Sequence, residues 1–359
     1  MQDMKDIISQ FIPADQIGQV QAFGNGHIND TYAVSDLSGE RRWILQRINH
    51  HVFPRIETLQ RNVAIVSETL RNRLVAEGDP EADRKYLHFY PCLDNPEKNY
   101  YFDGENYWRV CRFIPESMSM SELTPAAARH AGEAFGKFEE VLSVIPEGVL
   151  GETIEDFHSM PFRLHQLREA VAEDKVGRVA EVQDILDEIE SRAEAMLIQE
   201  ELYKQGKLPK RTIHCDTKVD NVLFDKSGTV LCVVDWDTVM PGFILSDVGD
   251  FIRTGVNFAP EDEPDLTKIG VNMEIYRAFV EGYLSSAGKF LNSTERSLIA
   301  YGGRLMTYMQ TVRFLADYLN GDTYFKIHKP DHNLQRTRAQ LRYLQCLEEK
   351  AAEMEALLA

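Results

Sequence analysis

The spacing of apolar positions changes part-way along this 359-residue chain. Before residue 114 they fall in short β-prone runs: "IGQVQAF" (17–23), "TYAV" (31–34) and "RRWILQRI" (41–48). The turn-rich stretches "GNGHIND" and "SDLSGE" separate these runs. One helix is predicted over 55–74, where Ile56, Leu59, Val63, Val66 and Leu70 recur at helical spacing. "KNYYFDGENYWRVCRFI" (98–114) reads as a hairpin turning at Asp103-Gly104. After "IPES" helical spacing dominates, over 124–143, 176–205, 266–286, 294–319 and 332–357. A β-rich island at 219–236 interrupts it. The pattern predicts an α+β architecture. A small β-rich lobe with one main helix (1–113) is followed by a larger, mostly helical lobe (114–359), with a cleft between them. The length, beyond what one core usually serves, points the same way.

The island carries the densest chemistry. "RTIHCDTKVDNVLFD" (211–225) sets His214, Asp216, Lys218, Asp220 and Asn221 beside an abruptly apolar Val222-Leu223-Phe224. Within it, His214-x-Asp216-x-x-x-x-Asn221 suits phosphoryl transfer. An Asp there accepts or orients the proton of the attacking hydroxyl, and a nearby oxygen ligand holds the nucleotide's metal. "NVLFD" and "TVLCVVD" flank Lys226-Ser227-Gly228, which reads as a three-residue hairpin loop. With Asp225 opposite Thr229, counting back sets Asn221 opposite Val233 and makes Asp235 its diagonal neighbour, ~7–8 Å away. A magnesium ion with oxygen ligands at ~2.0–2.1 Å can bridge such a pair. Lys218 is either a contact to the transferring phosphoryl group or, equally, a solvated lysine or a salt bridge to Asp220. His214 is expected to hold the loop by hydrogen bonds, and Cys215 to pack. Upstream, "FGNGHIN" lets backbone approach phosphates at Gly24 and Gly26, with Asn29 where a third glycine would complete Gly-x-Gly-x-x-Gly. An ordinary glycine turn is the competing reading.

The net charge of −18 argues against a nucleic-acid partner, which needs clustered Lys and Arg. It leaves room for a cationic small substrate. No apolar run approaches the ~20 residues of a membrane span, and the first residues lack a secretory pattern. Five scattered cysteines without metal spacing suit reduced thiols in a cytoplasm. Oligomeric state is not legible.

These residues resemble the protein-kinase-like small-molecule phosphotransferases, the superfamily of aminoglycoside phosphotransferases and choline kinases. More narrowly, the chain is similar to the bacterial N-acetylhexosamine 1-kinases. The similar stretches run in order from about residue 24 to 338: "GHIND-TY", "WILQRIN", "RNV", "WRVCRFI", "HCDTKVDNVLFD", "VDWDTVMPG", "DVGDFIRTG", "RFLADYLNGDTYF" and "HNLQRTR". The resemblance implies a bilobal protein-kinase-like fold. It also implies transfer of the ATP γ-phosphate to the anomeric hydroxyl of N-acetylglucosamine or N-acetylgalactosamine. By that likeness Asp216 is the catalytic base, and Asn221 and Asp235 bind Mg²⁺. "RVCRFI" (109–114), with Arg112 and Phe113, forms the hinge beside adenine. Substrate-side candidates are His27, Asp216, Arg313 and Tyr324, with an ion pair along the helix the rival reading for Arg313 and core packing the rival for Tyr324. One departure stands out. The third strand commonly carries a phosphate-binding lysine, yet "WILQRI" offers Gln46. Strand alternation places Gln46 on one face with Ile44, and Arg47 on the other. The alternatives are a kinase of an aminoglycoside or choline-like amino alcohol, and a catalytically silent nucleotide-binding module.

Overall fold

The computed structural model describes residues 4–24, 28–120 and 123–358. The chain divides into two compact units. One gathers Met1–Ser121, Lys137–Glu155 and Asp220–Pro241; the other gathers Glu122–Gly136, Asp156–Val219 and Gly242–Ala359.

The first unit begins with the short helix α1 (Met4–Ile8) and is built on five antiparallel strands. These are β1 (Val20–Ala22), β2 (Asp30–Ser35), β3 (Arg41–Ile48), β4 (Tyr101–Phe102) and β5 (Tyr107–Arg112), in spatial order β1-β2-β3-β5-β4. Alternation gives the sheet two different faces. Trp43, Leu45, Trp108 and Val110 join Ile7, Ile8, Phe11 and Val34 in an apolar core. Gln46 and Arg109, which pair across β3 and β5, share the opposite face. The helix α2 (Ile56–Glu77) buries Ile56, Leu59, Val63, Val66 and Leu70, the residues its sequence period predicts. Buried Asn62 donates to the carbonyls of Gly151 (2.7 Å) and Val239 (2.9 Å), fixing two later segments of this unit to the helix.

The hairpin of this unit differs from the count made on the sequence. Its tip agrees: Asp225 N–H donates to Thr229 O (2.9 Å), and Gly228 adopts a left-handed φ of 84°. Phe224 then faces Val230, but Leu223 faces Cys232 and Val222 faces Val233. Leu231 is an extra residue, a β-bulge. Leu231, Cys232 and Val233 are all buried, which strict alternation over one face does not allow. Asn221 therefore lies opposite Val234, not Val233, and its carbonyl accepts the Val234 N–H at 2.9 Å.

The second unit is helical: α3 (Pro125–Leu142, up to Gly136), α4 (Met160–Glu173), α5 (Gln183–Glu190), α6 (Ile198–Lys204), α7 (Ile244–Gly255), α8 (Met273–Ala287), α9 (Ser293–Ser297), α10 (Ile299–Leu319), α11 (His332–Glu349) and α12 (Ala351–Ala356). The single helix expected over 176–205 is instead α5 and α6 joined by a tightened turn. There the Met196 N–H donates to both Arg192 O and Ala193 O. The ends of the 294–319 and 332–357 stretches likewise break at Leu298 and Lys350. Two helices, α4 and α7, had not been expected. Every residue of α7 from Ile244 to Arg253 is buried, so it has no polar face to set a period. It crosses α10 closely: a Cβ on Gly249 would lie 2.2 Å from Gly302 O, so only glycine fits there. Among the described residues no helix is long and apolar enough to cross a membrane, and all five cysteines are buried.

Candidate active site

In the helical unit the strand Arg211–Ile213 runs into the loop that carries Asp216. The loop's shape comes from a residue on α7. The buried carboxylate of Asp247 accepts the His214 N–H through Oδ2 (2.6 Å) and the Cys215 N–H through Oδ1 (2.7 Å). Thr217 Oγ1 donates to Asp247 O at 2.5 Å. A carboxylate gripping two successive amides forces a sharp turn, and Cys215 takes a left-handed φ of 65°. His214 is fully buried with its ring edge against Phe135. Asp216, next in line, keeps its side chain 25% exposed and pairs with Lys218 Nζ at 2.6 Å. The partner of Lys218 is thus Asp216 rather than Asp220. Burial works against the Lys218 charge, but the carboxylates of Asp216 and Asp250 outweigh it and hold its pKa above the usual lysine value.

Asp250, one turn beyond Asp247 on α7, belongs to a buried charged cluster in the same unit. Arg253 donates to Asp250 Oδ1 through Nε (3.0 Å) and Nη2 (2.9 Å), and to Glu261. Burial raises the Asp250 pKa, yet Arg253, Lys218 and His158 together bring it below the usual carboxylate value. Arg313 meets no carboxylate within ion-pair distance among the described residues, so the helix ion pair weighed as its rival role does not form. Its guanidinium donates to Gln310 Oε1 (3.1 Å) and lies over Phe157, Tyr324 and Phe325 at 5.4–5.9 Å. Tyr324 is 65% exposed, so it is not a core residue. The loop that presents it is shaped by buried Asp317, whose carboxylate accepts the N–H groups of Thr323, Tyr324 and Phe325 at 2.8–2.9 Å.

His158 is set in this cluster with a buried Nδ1 that has no hydrogen-bond partner. Burial drives its pKa down to about 3; Asp250 opposes the shift, and Arg313, Arg163 and Arg253 add to it. Between that value and the ordinary histidine value of 6.5 the unfolded chain binds a proton that the folded chain refuses. Stability present above pH 6.5 is therefore lost as the pH falls toward the folded pKa. Asp250, with its ordinary value of 3.8 lowered, adds to the loss only at the acid end of that window, as the pH falls below 3.8. Thermal midpoints measured from neutral to mildly acidic pH are expected to fall, and to fall less steeply in His158→Gln. Equal slopes in the two proteins would refute the assignment.

The remaining candidates lie in the sheet unit. Gly24 has a left-handed φ of 75°, as a tight turn needs; Gly26 and His27 lie outside the described residues. Asn29 does not face open space. Its Nδ2 donates to Asp237 Oδ2 (2.6 Å) and its Oδ1 accepts the Asn49 N–H (2.9 Å). Gln46 Nε2 donates to Thr31 Oγ1 (3.3 Å), and its Oε1 accepts from Arg109 Nε (3.0 Å). Arg47 points the other way, to Asp30. Arg112 pairs with Asp83 at 2.7 Å, while the ring of Phe113 meets Phe23, the residue before Gly24, edge-on at 5.8 Å. In the bulged register Asp235 follows directly on Val234, the residue opposite Asn221, so the diagonal relation counted on a regular hairpin does not hold. Asp235 is exposed and left-handed, with φ 62° and ψ 61°. An amide oxygen and a carboxylate are the hard donors that magnesium takes alongside waters and phosphates, so this pair fits that ion. Among the described residues no cluster of three or more His, Cys, Asp or Glu competes for a metal.

Sequence reasoning passed over Asp247, Asp250, Arg253, His158, Arg109 and Asp237. The carboxylates of "DVGD" stand three apart, one above the other on a helix, and that spacing was readable. The others become neighbours only through tertiary structure.

Residues 19–288 match the family described as the phosphotransferase enzyme family. The match spans most of the chain, which belongs to that family. Solved structures share the fold. An aminoglycoside phosphotransferase from Alicyclobacillus acidocaldarius superposes with a TM-score of 0.65 at 14% identity, with 98% of this chain and 96% of that chain covered. Spectinomycin phosphotransferase, in complex with ADP and spectinomycin, gives 0.61 at 14% identity, covering 97% and 99%. A choline/ethanolamine kinase family protein from Mesorhizobium loti gives 0.53 at 13% identity, covering 99% and 98%.

Proposed function

We propose that this phosphotransferase is an ATP-dependent sugar 1-kinase that forms an N-acetylhexosamine 1-phosphate. The observation that carries the reading is Asp216, partly exposed on a loop locked from behind by Asp247. In this reading residues 1–113, with the hairpin ligands Asn221 and Asp235, serve the nucleotide, and the helical part serves the acceptor. Mg²⁺, when bound, offsets the negative charge of the phosphates. The anomeric hydroxyl oxygen bonds to the γ-phosphorus, the bond to the bridging oxygen breaks, ADP leaves with that electron pair, and the hydroxyl proton passes to Asp216. An anomeric hydroxyl is more acidic than an ordinary alcohol, so a carboxylate of modest basicity suffices. Lys218, kept protonated, stands beside Asp216 to compensate charge on the transferred group. Positioning and charge compensation do most of the work.

A neutral acceptor is supported by two cationic side chains of the helical unit. Lys218 touches Asp216, and Arg313 has aromatic rings for neighbours and makes no ion pair among the described residues. The second reading, an aminoglycoside or amino-alcohol kinase, is favoured by the net charge of −18 and by what the similar solved proteins are named for. Phosphorus NMR of the product made from ATP and N-acetylglucosamine tests the first reading. The expected signal is that of an anomeric phosphate. A 6-phosphate, or turnover only with kanamycin or choline in a parallel assay, overturns it.

A further inference from the structure

The sheet unit has no lysine at the Gln46 position, and what stands there is a buried network. Arg109 on β5 reaches across to Gln46 Oε1 at 3.0 Å and to Asp237 Oδ1 at 2.6 Å. The Arg109 and Asp237 side chains are only 3% and 2% exposed. Asp237 accepts from Asn29 as well, and Gln46 continues the chain to Thr31. The carboxylates of α2 take no part, since Glu57 and Glu68 are both exposed. Two buried charges cost more in desolvation than apolar residues of the same size, so stability alone does not account for the pair.

Its location supplies the account. Asp237 lies two residues beyond Asp235, whose left-handed backbone is unusual for a non-glycine residue and has to be imposed by its surroundings. The segment from Trp236 to Thr238 is buried, with Trp236 Nε1 donating to Val233 O at 2.8 Å. Arg109 and Asp237 anchor that segment to the sheet. Asn29, which closes the "FGNGHIN" stretch, joins the same carboxylate and so links the glycine turn to the metal-ligand loop. The rest of the guanidinium is enclosed: Arg109 Nη1 is buried without a hydrogen-bond partner, and Phe89 lies against the guanidinium at 5.2 Å.

We infer that Arg109 and Asp237 are positioning residues that aim Asp235 at the nucleotide's magnesium. The inference rests on the nucleotide reading above. It is tested on the full chain by calorimetric titration with ADP, with and without magnesium. Asp237→Asn and Arg109→Lys are expected to weaken Mg²⁺-ADP binding by at least ~10-fold, as loss of a partner behind a metal ligand does. Binding of metal-free ADP and the KM for the acceptor should stay near wild type. Asn29→Ala, at the half-buried edge of the network, should shift binding in the same direction. It decides the matter if the buried variants do not fold. Wild-type Mg²⁺-ADP affinity in folded variants overturns the inference, as does equal weakening with and without the metal, which marks a merely structural pair. If the unaltered protein itself binds no Mg²⁺-ADP, the nucleotide reading fails along with it.

Discussion

Asp216→Asn is expected to leave the fold intact and to lower turnover by at least ~10²-fold, the low end for loss of a general base. The substitution keeps the shape of the side chain and removes its ability to accept a proton. The loop does not depend on the Asp216 carboxylate for its path, because Asp247 holds the two amides that precede it. What Asp216 contributes to stability through Lys218 is small, since a partly exposed ion pair is worth ~0–1 kcal/mol. Lys218 retains the Asp250 carboxylate as a favourable charge. The expected result is therefore an unchanged thermal midpoint and circular dichroism spectrum with ADP release nearly abolished. Near-normal ADP release from the folded variant would remove Asp216 from the reaction.

Much of the fold was legible in the sequence because its elements are half-buried and so keep a period. The strands β2 and β3, the helix α2 and the Asp103-Gly104 hairpin all show it, and alternation placed Gln46 and Arg47 on opposite faces correctly. Where burial is complete the period vanishes, and α7 disappeared with it. That omission mattered for the site, since α7 carries Asp247, Asp250 and Arg253. The hairpin illustrates a second limit. Its turn chemistry was readable at Asp225 and Gly228, but a bulge is set by which of Leu231, Cys232 and Val233 must be buried. One inserted residue changed the partner of Asn221 from Val233 to Val234. The third limit is distance along the chain. Gln46 was noticed as a departure, but its neighbour Arg109 and the carboxylate of Asp237 meet only once β3, β5 and the hairpin are assembled. The sequence shows a glutamine where a lysine is common; the structure shows the buried Arg109–Asp237 pair beside it.

Asp247→Asn should separate the architecture of the loop from its chemistry. The native carboxylate uses both oxygens, one for each successive backbone N–H, in a site sealed from water. An amide has one oxygen, so either His214 or Cys215 is left with a buried N–H facing an NH₂ group. An unsatisfied buried donor costs about 1–3 kcal/mol, and losing a charge-assisted acceptor places the effect toward the upper end. Cys215 has no reason to stay left-handed once the grip loosens, and relaxation of its backbone moves Asp216, the next residue. A displacement on the order of 1 Å at a reacting group costs ~10²-fold in rate. Urea denaturation is thus expected to show a lowered midpoint, and turnover per folded molecule should fall on the order of that factor. Thr217→Val serves as the graded comparison. It removes the single Thr217 Oγ1 bond to Asp247 O, and its cost should be ~1 kcal/mol with a much smaller effect on rate. If Asp247→Asn loses activity only in proportion to its unfolded fraction, the carboxylate is a stability device, and the geometry of Asp216 is set by something other than α7.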